Sequence, residues 1–128
     1  MQASPASPGN GTTWQGGYVL AEEPVSWGKM LVAGGELDLA SASALREWLN
    51  GAVAAEARRV ILDFTDVSFI DSLALAAVVA AKRRLPPDAK LAVVASNQYV
   101  LLILEAGGLD SVFEVFRARD EAVEYVLS

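Results

Sequence analysis

The groups that could do chemistry in this 128-residue chain gather in a few short stretches. Glu36 and Asp38 follow one apolar run, Asp63, Asp66 and Asp71 belong to another, and Ser72 comes directly after Asp71. A serine that opens a helix after a loop admits two readings. It can be the N-cap, its oxygen accepting a free helix N–H for about 1 kcal/mol. It can also be a phosphorylation site, since a phosphate adds about −1.5 to −2 charges and a helix N-terminus tolerates an anion. A partner surface that had accepted a neutral serine beside Asp71 would not tolerate it. Two added charges roughly 7 Å from one acidic partner group, at an effective dielectric of ~20–40, cost ~2–5 kcal/mol before salt screening.

Other chemistries fall away on composition. The chain has no cysteine and no histidine, which removes zinc-thiolate sites, Cys–His and Ser–His–Asp catalysis and the usual histidine metal ligands. A hydrolase built on Ser72 lacks a base. Lys82 lies roughly 15 Å along the helix at 1.5 Å per residue, and no G-x-S-x-G elbow surrounds the serine. A phospho-acceptor role for Asp63, with Glu22-Glu23 imitating an acidic pair, fails because Lys90 precedes its strand instead of ending it. Asp38 and Asp63 read more simply as Asx-turn or cap residues. Glu36 and Asp38 alone supply too few oxygen ligands for a metal, so neither a metal nor a cofactor is expected. The net charge of −6 argues against direct nucleic-acid binding, which depends on cationic contacts with phosphate. An acidic face suits a basic protein groove.

The elements that would position these groups alternate between strand and helix patterns, which predicts an α/β domain with a mixed sheet covered by helices. Residues 1–17, rich in Ser, Pro, Gly, Thr and Ala, read as a disordered tail with no secretory signal, leaving 18–128 as the domain. Tyr18 to Glu22 and Lys29 to Ala33 read as a hairpin around a turn at Pro24 to Gly28, stopped by Gly34-Gly35. A helix is expected from Ser41 or Ser43, either of which can cap it, with Leu45, Trp48, Leu49, Ala52 and Val53 on its inner face. Val60 to Phe64 reads as a strand buried on both faces, and Thr65 to Asp71 as a short connection. A helix from Ser72 to about Leu85 ends in Lys82, Arg83 and Arg84, which complement its dipole, and Pro86-Pro87 stops it. Lys90 to Ala95 is a further buried strand. Gln98 to Ala106 is a short helix closed by Gly107-Gly108, Val112 to Phe116 a last strand, and Asp120 the cap of a last helix. No apolar run reaches the roughly 20 residues of a membrane span without a charge.

The order of these motifs is familiar as a set. Gly35-Glu36-Leu37-Asp38, then VILDFTDVSFIDSLALAAVVAAKRRL from Val60, then KLAVVASNQYVLLILEAGGLDSVFEV from Lys90, closely resembles the STAS domain family of bacterial anti-sigma factor antagonists. The likeness runs from about Tyr18 to Leu127. It implies a single domain with a mixed four- to five-stranded sheet flanked by about four helices, and a bacterial, cytoplasmic, non-enzymatic protein. It implies a partner, an anti-sigma factor that is also a serine kinase and itself binds the ATP. Binding would release a sigma factor, phosphorylation of Ser72 would end the binding, and a serine phosphatase would restore it. The partner surface implied is Glu36, Asp38, Asp71, Ser72, Leu73 and Ala74, with Asp38 near the partner's nucleotide. Where the family continues with Ser or Thr and then Gly, this chain has Leu73 and Ala74, which predicts an altered docking surface. The alternative within the family is a STAS subunit that is not phosphorylated and serves a transporter, a lipid-trafficking ATPase or a stress-signalling assembly.

Overall fold

The computed structural model describes residues 17–106 and 112–128. The expected tail, apart from Gly17, and the Gly107-Gly108 cap lie outside them. Five strands and four helices follow in the order β1 (Tyr18–Glu23), β2 (Lys29–Leu37), α1 (Leu39–Ala54), β3 (Arg59–Ile70), α2 (Ser72–Arg84), β4 (Lys90–Val94), α3 (Gln98–Ala106), β5 (Glu114–Phe116) and α4 (Arg119–Leu127). The strands lie side by side in chain order. β1 pairs with β2 antiparallel and every later neighbour is parallel, so the sheet is mixed, as expected.

Strand alternation sorts the apolar residues onto two faces. Leu31, Ala33, Val60, Leu62, Leu91 and Val93 join Leu45 and Leu49 of α1, Val78 of α2 and Leu104 of α3 in the larger core. Met30, Val32, Ile61, Ala92 and Val94 face the other way and pack on Ala122 and Val126 of α4. Three helices therefore cover one face and one covers the other. The C-terminal end of α4 is tied down by two cations: Arg59 Nε donates to Val126 O at 3.0 Å and Lys90 Nζ to Ser128 O at 2.8 Å. Both sit where the helix dipole favours positive charge.

Several boundaries differ from the sequence reading, each for a physical reason. Gly34-Gly35 does not stop β2. Its register against β3 shifts between Val32 and Gly34 and again between Gly35 and Glu36, and Gly35 takes a φ of 83°, which glycine adopts without a Cβ penalty. The strand bulges and resumes, so Glu36 pairs with Phe69 and Leu37 with Ile70. The expected connection from Thr65 is consequently the second half of β3, its polar residues Thr65 and Ser68 exposed and Val67 and Ile70 buried. Ser41 and Ser43 do not start α1; the helix begins at Leu39 with Asp38 as its cap. Asp120 does not cap α4, whose N-cap is Ala118 with no side-chain cap bond. The last strand begins at Glu114, not Val112. Trp48 is half-buried and donates from Nε1 to Glu22 at 2.8 Å instead of sitting in the core. On α2 the inward residues are Ala74, Ala77, Val78 and Ala81, with Leu75 and Val79 only partly buried against the core.

Gly28 closes the hairpin against the start of β3. A Cβ there would fall on the Arg59 carbonyl oxygen, and backbone cannot swing aside as a side-chain tip can. Gly28→Ala is expected to lower the unfolding free energy by about 1–3 kcal/mol, read as a shifted urea midpoint at unchanged m-value.

Candidate functional site

The long pairing of β2 with β3 brings two helix N-termini together. Leu37 and Ile70 are register partners at the strand ends, and Asp71 N donates to Leu37 O at 3.0 Å. α1 and α2 therefore start side by side, each capped by an aspartate. Asp38 Oδ1 accepts from Ala40 N at 3.1 Å, and Asp38 N donates to the Oγ of Ser41 at 2.8 Å, so Ser41, fully buried, is the inner half of a capping box. Asp71 Oδ1 accepts from both Leu73 N and Ala74 N at 3.0 Å.

That second cap decides between the two readings of Ser72 as far as capping goes. Asp71 has extended backbone and is the N-cap; Ser72 is the first helical residue. The expectation that Ser72 caps α2 is corrected: two oxygen-bearing residues compete for the position, and the carboxylate one residue earlier takes it. The Ser72 hydroxyl is exposed and makes no hydrogen bond among the described residues, while its neighbour satisfies the helix donors. Asp71→Ala is expected to cost about 1–2 kcal/mol, since one side chain serves two N–H groups, and Asp71→Asn much less, because asparagine caps about as well. Urea unfolding of the two variants checks this.

The other residues singled out from the sequence fall around Ser72 in different ways. Glu36 is exposed and Asp38 half-buried at the end of β2. Leu73 is 43% exposed. Ala74, by contrast, is fully buried in the main core. Its methyl points inward and lies beneath the surface, so the residue that stands in place of the family's glycine adds nothing a partner would meet. Of the two departures only Leu73 is exposed.

Two features of the site were not anticipated. Leu39, the first residue of α1, is 73% exposed. Phe69 stacks on Tyr99, with centroids 5.9 Å apart and planes at 15°, which joins the end of β3 to the start of α3. There Asn97 caps the helix, accepting from Tyr99 N at 2.8 Å and Val100 N at 3.1 Å. Three helices thus begin beyond the carboxyl ends of neighbouring strands, the edge where open α/β sheets bind their partners. Glu36, Asp38 and Asp71 form no ion pair among the described residues, so the edge carries uncompensated negative charge.

Asp63 belongs elsewhere. It points to the α4 face, is 5% exposed, and accepts from Thr65 N at 3.0 Å as a local cap. Its other oxygen takes Arg119 Nε at 2.9 Å and Nη2 at 2.7 Å, while Arg119 Nη1 donates to both oxygens of Glu23 at 3.0 Å. Burial by itself would lower the Arg119 pKa, but the bonds and charges of Asp63 and Glu23 outweigh it and hold the guanidinium above its usual value. Burial, and then the charge of Asp63, push the Asp66 carboxyl up. Glu23 and Asp63 meet only through Arg119, which is committed to both. A carboxylate inside an apolar run demands a counter-charge, and this was the only signal pointing toward Arg119.

The chain matches the model of the STAS domain over residues 21–122. It is 30% identical over 94 residues to the anti-sigma-F factor antagonist RsfB of Mycobacterium tuberculosis, a match covering 73% of this chain and 77% of the relative. Its fold is shared by an anti-sigma factor antagonist from Mycobacterium paratuberculosis, with a TM-score of 0.83 at 22% identity over 99% of this chain and 100% of that one. It is shared also by the Bacillus cell fate determinant SpoIIAA in its phosphorylated form, with a TM-score of 0.63 at 22% identity over 84% of this chain and 98% of that one.

Proposed function

This chain belongs to the STAS domain family, and we propose that it is an anti-sigma factor antagonist switched off by phosphorylation of Ser72. The observation that carries the reading is the state of Ser72: exposed, first in its helix, and relieved of capping by Asp71. Its Oγ is therefore available to a kinase without loss of a structural bond. Support comes also from the relatives, which include the antagonist RsfB and a fold-mate that exists in a phosphorylated form.

In this reading the edge formed by Glu36, Asp38, Asp71, Ser72 and Leu73 docks on an anti-sigma factor that is also a serine kinase. Docking displaces the sigma factor, and the kinase uses its own bound ATP to phosphorylate Ser72. The phosphate settles readily against the α2 N-terminus, so the fold survives. The interface does not. A dianion held beside Asp71 and the exposed Leu73 would have to lose its water on docking. A serine phosphatase would then regenerate the binding form. The protein itself performs no catalysis and acts in the cytoplasm of a bacterium. Among the described residues no helix is long and apolar enough to cross a membrane.

The test is a sizing experiment with the purified anti-sigma factor kinase from the same organism. A complex is expected without ATP, and its loss once ATP has been turned over. A complex that persists unchanged after ATP turnover contradicts the switch.

A further inference from the structure

Four of the five large apolar side chains exposed among the described residues belong to α1, α2 and α3, the helices that cover one face of the sheet. They are Leu39 (73%), Leu73 (43%), Tyr99 (45%) and Leu102 (61%); the fifth, Leu127, ends α4. Leu39 and Leu73 hold the first position of α1 and the second of α2, at helix starts joined through the Asp71 N to Leu37 O bond. The first turn of a helix favours acidic residues, yet neither α1 nor α2 has one there. Leucine at these positions neither caps its helix nor enters the core. Single exposed leucines need no explanation, but two at joined helix starts beside unpaired carboxylates do.

We infer that Leu39 and Leu73, at the joined starts of α1 and α2, are paired apolar anchors that select a partner with an apolar pocket rimmed by basic side chains on the Glu36 side. The pocket follows from the two leucines, and the basic rim from charge complementarity with Glu36, which is exposed and has no ion pair among the described residues. Ser72, next to Leu73 at the start of α2, is carried to the pocket with it. Its neutral hydroxyl fits an apolar wall and its phosphate does not. The inference rests on the antagonist reading and adds to it the determinant of partner choice, located in the one residue of the Asp71-Ser72-Leu73-Ala74 run, besides Ser72, whose side chain is exposed.

The experiment measures affinity of the full chain for the purified anti-sigma factor kinase from the same organism, without ATP. Leu39→Ser and Leu73→Ser are each expected to bind roughly tenfold or more weakly. Their melting temperatures should stay at the wild-type value, because neither side chain is in the core. Leu73→Ile should bind within about threefold of wild type. Raising salt should leave the leucine effects in place and shrink the smaller effect of Glu36→Gln. Wild-type affinity in both serine variants overturns the inference and leaves the antagonist reading standing. Failure of the wild-type chain to bind the kinase at all overturns both.

Discussion

Ser72→Ala is expected to hold its anti-sigma factor with or without ATP, while Ser72→Asp and the phosphorylated wild type lose at least about 100-fold in affinity. The asymmetry comes from the geometry of the α2 start. Asp71 takes both helix donors, so removal of the Ser72 hydroxyl leaves no cap empty, and the alanine variant should unfold within about 0.5 kcal/mol of wild type. Addition of charge at the same place leaves the fold intact, since the helix dipole offsets it, but opposes docking. Setting that charge against an apolar pocket wall strips its hydration with no counter-charge to replace it, and even an uncharged polar group buried without a partner costs ~2–7 kcal/mol. At 1.4 kcal/mol per factor of ten, about 100-fold lies within that range. Titration calorimetry with urea unfolding on the same samples separates binding from stability. Tight binding by Ser72→Asp would leave the switch without a mechanism.

The largest effect on stability is expected far from that edge, at Arg119. Arg119→Ala strands the Asp63 carboxylate, 5% exposed, on the inner face of β3. Breaking a buried pair by removing one partner costs about 3–5 kcal/mol. Arg119 is itself 40% exposed, so water reaches the pair and the loss should be about 2–4 kcal/mol. Replacement of both partners, as Asp63→Val with Arg119→Met, should regain most of it, because the apolar pair leaves no buried charge. Glu23, at 44% side-chain exposure, can be solvated without help. Asp63 and Ser72 lie on different sides of the sheet, so Arg119→Ala should still bind and be phosphorylated below its own melting temperature. Equal instability of the single and double variants would mean that the arginine matters for packing and not for charge.

The order of elements and the mixed sheet were legible in the sequence, because Val60 to Leu62 and Leu91 to Val94 are buried and read as apolar runs. Where the chain is half-exposed the pattern was ambiguous. Thr65 to Ile70 looks like a polar connection because its outward residues are polar, and the Gly35 bulge that keeps it paired with β2 depends on a backbone angle that no residue pattern displays. Tandem Asp71-Ser72 offers two good caps, and backbone conformation alone chooses between them. Leu73 and Ala74 look alike as apolar departures from the family; the helix turns one outward and the other into the core. The bond from Asp63 to Arg119 spans 56 residues, a distance over which local spacing carries no information. Ser72, Asp71, Asp38 and Glu36 do gather at one edge. Leu39 and the Phe69–Tyr99 stack, which complete it, follow only from the way three helices start beyond adjacent strands.

The most direct measurement is the location of phosphate after the chain is incubated with the purified anti-sigma factor kinase and ATP, read by peptide mass spectrometry while the complex is followed by sizing. The expected result is a single phosphate on Ser72, appearing in step with loss of the complex. Phosphate on any other residue, or loss of the complex with Ser72 unmodified, would contradict it.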